Sequence, residues 1–329
     1  MIKIIGVSDF PFMNSGIFTC LSRITRNYHP DSYLLYSDQN IEGFIKVDVQ
    51  NMPINNDKII LFTHIEYSGL SKLIRKFNNP LVYVCDWPPI YWDSVKKNDN
   101  YIKGLLGKIR FYFRIRNLQK DIKYIFVAKK DCYEAFKYGY INSKYIPLGV
   151  DFPLLKIKSK INTDILCFTG NFRYEPNLSA AIELIKFAKI NPQFNFVFAG
   201  YFAQDLEAYD ITDNIKIFQN VPSIIDFLIN LRPIYVSNIK YGAGAKNKIL
   251  EAIVSGCPII ASVESLDESL LNNRSVINLE NIQELTEKIG QIKKGIDSFE
   301  KTTRECSKNM INERSWKKIS IDLLSLLND

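Results

Sequence analysis

Hydrophobic residues in the first half of the chain gather in short runs, KIIGV, SYLLY, KIILF, LVYVC and KYIFVA, each bounded by polar or turn residues. Stretches long enough for helices lie between them. Runs this short and this continuous predict strands covered on both faces, as in a parallel sheet with helices above and below. The rhythm breaks at residues 145–162, YIPLGVDFPLLKIKSKIN, where prolines, a glycine and a basic polar stretch predict a hinge. It restarts with DILCFTG, FNFVFAG, IKIFQNV, PIYVSN and PIIAS, interleaved with helical segments such as NLSAAIELIKFAKI and KNKILEAIVSG. The expected fold is α/β, with two Rossmann-like, doubly wound domains facing across a cleft. Ligands of such sheets bind at the carboxyl ends of the strands, so the cleft is the expected site.

Composition narrows the class. With 329 residues, 47% hydrophobic and 23% charged, the chain is ordinary globular material long enough for two domains. No apolar run reaches the ~18 residues that would span a bilayer. MIKIIGVSDF reads as a first strand and not as a signal peptide, so a cytoplasmic protein is expected. Six cysteines are scattered singly without CxxC pairs, which predicts buried thiols, and two histidines leave few routes to a metal site.

Charge is uneven. Up to residue 152 there are 21 Lys+Arg against 14 Asp+Glu, while the remainder balances at 21 against 21. The excess concentrates in residues 96–130, where eleven basic residues meet only Asp99 and Asp121. Within it, GLLGKIRFYFRIRNLQKDIKY alternates apolar and basic residues. Two readings stand side by side: a surface for anionic lipid heads or a phosphate-bearing acceptor, and a solvated helix face packed on the core. No helix-turn-helix, RNP-type or zinc signature accompanies it, so no nucleic-acid partner is expected.

The most informative stretch is YGAGAKNKILEAIVSGCPIIAS, residues 241–262. GxGxxG after the first strand and GxxxxGK[ST] are both missing, which weakens dehydrogenase and P-loop readings. Gly242 and Gly244 instead follow a predicted strand and allow close approach of a ligand to the backbone. The helix that starts near Lys246 points unpaired amides and its positive dipole end outward, and Lys246 and Lys248 add full charges there. This is an anion trap suited to a diphosphate. Glu251, further along the helix, is acceptor-only and suits the vicinal hydroxyls of a ribose.

The same stretch resembles the donor-binding segment of the retaining glycosyltransferases of family 4, which have the GT-B fold. CFTGNFRYEPNLSAAIELI is similar to their first C-domain strand and following loop, with Pro176 and Asn177 opening the helix, YIPLGVD to the turn closing their N-domain, and ERSWKKIS to the start of their last helix. The resemblance runs in order from about residue 145 to 320. It implies domains at 1–152 (acceptor) and 153–312 (nucleotide sugar), with 313–329 a helix crossing back to the N-terminal domain. It also implies metal-independent transfer, with retention, from a UDP- or GDP-linked sugar to a glycan or lipid-linked acceptor in surface polysaccharide assembly. By position, Glu251 matches the ribose-binding glutamate, Lys248 and Lys246 the diphosphate-binding bases, and Gly244 and Ala245 the donor-facing amides. Ala243 stands where the family's first paired glutamate would be; a branch with the pattern GxGxxxKxxEA does without it.

Gly16 after the first strand, Gly170 at the end of the first C-domain strand, and Arg173 beyond it complete the expected donor set. For the N-terminal domain, Asn14, Ser15, His64, Glu66 and Asp86 follow predicted strands at their carboxyl ends, where a polar residue either caps a helix or does chemistry. Of these, His64 is expected to touch the sugar and Asp86 to engage the acceptor. Trp87 and Trp92 are an acceptor platform or core aromatics. The rival readings are a nucleotide-sugar 2-epimerase of the same fold and a non-catalytic nucleotide-sugar binding protein.

Overall fold

The computed structural model describes residues 2–327 except 13–15, 50, 53–57, 78, 154 and 243–245. It divides into two compact units, Met1–Gly149 with Trp316–Asp329, and Val150–Gly242 with Lys246–Ser315.

The first unit runs β1 (Ile2–Gly6), α1 (Gly16–Thr25), β2 (Tyr33–Ser37), β3 (Ile45–Lys46), β4 (Lys58–Phe62), α2 (Leu70–Lys76), β5 (Leu81–Cys85), α3 (Pro88–Asn98), α4 (Tyr101–Ile115), β6 (Tyr124–Phe126), α5 (Lys129–Lys137) and β7 (Ser143–Tyr145). Its strands form one parallel sheet in the order β3-β2-β1-β4-β5-β6-β7. The central strands are buried on both faces, as their unbroken apolar runs require. α1 buries Ile17, Cys20, Leu21 and Ile24, a spacing of three, four and seven that lays them on one face.

α4 begins where the Asn100 side chain accepts a hydrogen bond from the Lys103 amide at 2.9 Å. It packs tightly on α3 because two of its residues lack side chains. A Cβ at Gly104 would meet Lys96 and the Trp92 carbonyl at 2.5 Å, and one at Gly107 would enter the Trp92 ring at 2.2 Å.

The second unit runs β8 (Asn162–Asn171), α6 (Glu175–Ile190), β9 (Asn195–Tyr201), β10 (Ile215–Gln219), α7 (Ile224–Leu231), β11 (Pro233–Ser237), α8 (Asn247–Val254), β12 (Ile259–Ala261), β13 (Val276–Asn278), α9 (Leu285–Lys294) and α10 (Ile296–Arg314). Its parallel sheet has the order β10-β9-β8-β11-β12-β13. Phe168, Phe172, Phe196, Phe198 and Leu184 are among the side chains of its core. Arg232 is wholly buried after α7, where its guanidinium donates to Glu300 at 2.8 Å, to the Ser159 carbonyl at 2.6 Å and to the Gly256 carbonyl. The chain then ends in α11 (Trp316–Ser325), which belongs to the first unit. There Ser320 Oγ donates to the Ile24 carbonyl of α1, and the Tyr28 hydroxyl donates to the Ser320 carbonyl.

β3, β7 and β13 have no counterpart among the predicted runs. Each lies at a sheet edge, spans two or three residues and is at least partly exposed, so its pairing leaves little hydrophobic trace. All six cysteines are free, with Cys20, Cys167, Cys257 and Cys306 buried and Cys85 and Cys132 partly so.

Candidate functional site

In the second sheet the winding reverses between β8 and β11, and the segment that follows β11 into α8 carries Lys246 and Lys248. Lys246 stands at the N-cap of α8 with extended backbone angles and no side-chain cap, so the helix opens with amides its own ladder cannot satisfy. Lys248, the second residue of α8, reaches across to β8 and α6. Its ammonium donates to Asn177 Oδ1 at 2.6 Å and lies 4.4 Å from the centre of the Phe168 ring. Asn177 is buried and is oriented in turn by the bond from its Nδ2 to the Asn171 carbonyl at 2.9 Å.

Glycines make the room. A Cβ at Gly170 would come within 2.8 Å of Asn177 and 3.1 Å of the Lys248 ammonium, while one at Gly242 would come within 2.8 Å of the Lys246 ammonium. The sequence therefore puts two amines at one helix start and keeps the adjoining backbone bare.

Burial and, less strongly, the nearby charge of Lys246 together push the Lys248 ammonium down to about 7, with Glu251 opposing both. A cation held this close to neutrality gains most when an anion arrives. Glu251 lies one turn beyond Lys248 on α8, partly buried, and its charge is felt at both Lys248 and Tyr235. Gly170, Gly242, Lys246, Lys248 and Glu251 are thus brought together.

Arg173, in the loop after β8, bonds Asp205 through Nε at 2.9 Å and stacks its guanidinium 3.8 Å from the Phe202 ring centre, so its charge is engaged by the segment that follows β9. Gly16 is exposed at the start of α1 in the first unit. Asn14, Ser15, Ala243, Gly244 and Ala245 lie outside the described residues.

The first unit has a pocket of its own. In its sheet the winding reverses between β1 and β4, and the segments that follow β1, β4 and β5 bound a cavity of about 340 Å³. Ser8 and Asp9 come from the first of these segments, His64 and Glu66 from the second, and Asp86 from the third. α4 closes the side with Gly107, Arg110 and Arg114, and α3 contributes Trp92. Arg114 approaches Glu66 to 3.7 Å. Burial raises the Glu66 carboxyl above its ordinary range, with Asp86 adding to the rise and Arg114, Arg110 and His64 opposing it. The cavity therefore joins carboxylates, an imidazole and two guanidinium groups, a set able to orient hydroxyl groups and to hold an anionic one.

The two tryptophans separate. Trp92 lines the cavity, whereas Trp87 is fully buried among Phe111, Phe126, Tyr138 and Tyr140 and is a core residue. The sequence reading missed the roles of Arg110 and Arg114 in this wall. Their spacing of four residues in a predicted basic helix is the signal that could have found them.

Comparison with known proteins places these units. Residues 153–312 match the family model of the glycosyl transferases group 1. No protein of curated function matches the chain by sequence. Among solved structures, HepE from Anabaena in complex with UDP-glucose superposes with a TM-score of 0.69 at 14% identity, covering 99% of each chain. The sucrose-phosphate synthase of Thermosynechococcus elongatus gives 0.69 at 12% identity over 100% of this chain and 98% of its own. A UDP complex of TarM from S. aureus gives 0.58 at 15% identity over 83% of this chain, which spans only 55% of TarM. Residues 153–312, a little under half of the chain, are accordingly similar to the glycosyl transferases group 1, and the chain as a whole carries the GT-B fold of the solved structures it is similar to.

Proposed function

We propose that the protein is a glycosyltransferase that moves a sugar from a nucleoside diphosphate sugar, UDP-linked, to a hydroxyl of a glycan or lipid-linked acceptor with retention at the anomeric carbon. The observation that carries this reading is the pair of lysines at the start of α8, one of them buried against Asn177 and close to neutrality, within the residues that match the glycosyl transferases group 1. UDP is favoured because HepE and TarM each hold it.

The chemistry follows from charge. As the bond from the anomeric carbon to the diphosphate oxygen breaks, negative charge accumulates on the diphosphate. Lys246, Lys248 and the opening amides of α8 supply the positive charge that receives it. Glu251 accepts hydrogen bonds from the ribose hydroxyls. The acceptor hydroxyl gives its proton to the departing diphosphate oxygen, on the face from which that group leaves, so the new bond keeps the old configuration. The first unit's cavity holds the acceptor, with Asp86 engaging it and His64 touching the sugar. Neutralisation by lysine and helix amides makes a divalent cation unnecessary, and the enzyme acts in the cytoplasm.

The test is isothermal titration with UDP and GDP, followed by a transfer assay using UDP-sugars and phospholipid-linked or oligosaccharide acceptors. Binding of UDP and acceptor-dependent UDP release are the expected results. UDP release that never requires an acceptor, or no binding of either nucleotide, overturns the proposal.

A further inference from the structure

α4 has two apolar faces, and the fold uses one of them. Gly104, Phe111 and Ile115 are buried. Ile102, Leu105, Leu106, Ile109 and Phe113 are between 40% and 67% exposed. At roughly 100° per residue these side chains fall within an arc of about 100°, an ordered stripe and not a scatter. Isolated exposed apolar residues need no explanation, but five on one helix face do.

The borders of the stripe are cationic. Lys103, Arg110 and Arg114 flank it on one side and Lys108 on the other, while Arg116 stands at the helix end, 5.7 Å from the Phe113 ring. Asp99 and Asp93 pair with Lys103 and Lys108, yet residues 96–130 still hold eleven basic groups against two acidic ones. An apolar stripe between cationic margins matches acyl chains beneath anionic headgroups. It does not match a second copy of this chain, because pairing two such faces would bring two cationic margins together. No described helix is long and apolar enough to cross a membrane, so the contact would be interfacial.

We propose that the exposed face of α4 inserts Leu105, Leu106, Ile109 and Phe113 into an anionic lipid surface, with Lys103, Lys108 and Arg116 on the headgroups. Gly107, Arg110 and Arg114 line the first unit's cavity from the same helix, so insertion holds that cavity at headgroup level. The proposal does not depend on the transferase reading, because its readout is lipid binding and not transfer.

The experiment is cosedimentation of the full chain with vesicles of phosphatidylglycerol mixed with phosphatidylcholine, against phosphatidylcholine alone, at low and high salt. Binding is expected to need the anionic lipid and to weaken with salt. Leu106→Ser combined with Phe113→Ser, both at exposed positions, should keep the circular dichroism of the parent and lower vesicle affinity by about tenfold or more. No binding by the parent, or a double variant within about twofold of it, overturns the proposal. Sedimentation equilibrium supplies the remaining outcome: a dimer that the same variant splits, with no vesicle binding, gives the face to a second copy and also overturns it.

Discussion

Lys248 ties the proposed donor site to a pH dependence that can be calculated. Its ammonium is pushed down to about 7 from an ordinary lysine value of 10.5, chiefly by burial. A bound diphosphate restores the charged form, so binding takes up a proton wherever the free protein has lost it. For a group at about 7 in the free protein and well above 9 in the complex, the apparent affinity falls by about fifty-fold between roughly pH 7 and pH 9. UDP suits the measurement because its phosphates are already mostly ionised above neutrality. The Lys248→Met variant should bind UDP about ten- to a hundredfold more weakly near neutrality, the worth of a charge-assisted hydrogen bond, and its affinity should be flat with pH.

Stability should respond in the same window. Between about 7 and 10.5 the unfolded chain keeps a proton on Lys248 that the folded one has released, so stability rises with pH across that range; below 7 both states are charged and the cost of burying the ammonium stands in full. Titration calorimetry and denaturant unfolding of parent and variant check both statements. A parent whose UDP affinity is unchanged from about pH 7 to 9, or a variant that retains the parent's slope, refutes the role of Lys248.

Three further outcomes are expected. Gly170→Ala places a methyl group against Asn177 and the Lys248 ammonium, so UDP affinity should drop while the melting temperature moves by only a few degrees, as read by titration calorimetry and a thermal scan. Gly104→Ala drives a Cβ into the backbone of α3 at 2.5 Å and should destabilise the first unit by about 1–3 kcal/mol in urea unfolding. Arg232→Ala leaves Glu300 and two carbonyls without their buried donor and should cost about 3 kcal/mol or more in the same measurement, with UDP binding unchanged wherever the protein remains folded.

The central strands and their flanking helices were legible in the sequence because burial on both faces demands unbroken apolar runs, and KIILF and DILCFTG are such runs. The edge strands β3, β7 and β13 were not, since their partners and not their own side chains make them strands. The proximity of Gly242, Lys246 and Lys248 at the α8 junction was equally plain, because bare backbone and positive charge stand close together in sequence there. What sequence could not decide is which distant groups share a space. Asn177 meets Lys248 across 71 positions, and it is this enclosure that lowers the lysine's affinity for its proton.

The same division explains the basic segment at residues 96–130. Its amphipathic pattern showed that one face of a helix is apolar, which left packing and membrane contact as equal readings. The tertiary structure separated them: Phe111 and Ile115 serve the core, Ile109 and Phe113 face outward, and Arg110 and Arg114 turn to a cavity. Local periodicity determines which side chains share a face, but only neighbours brought in from β4, β5 and α3 determine whether that face meets protein, pocket or solvent, because burial belongs to the packed whole.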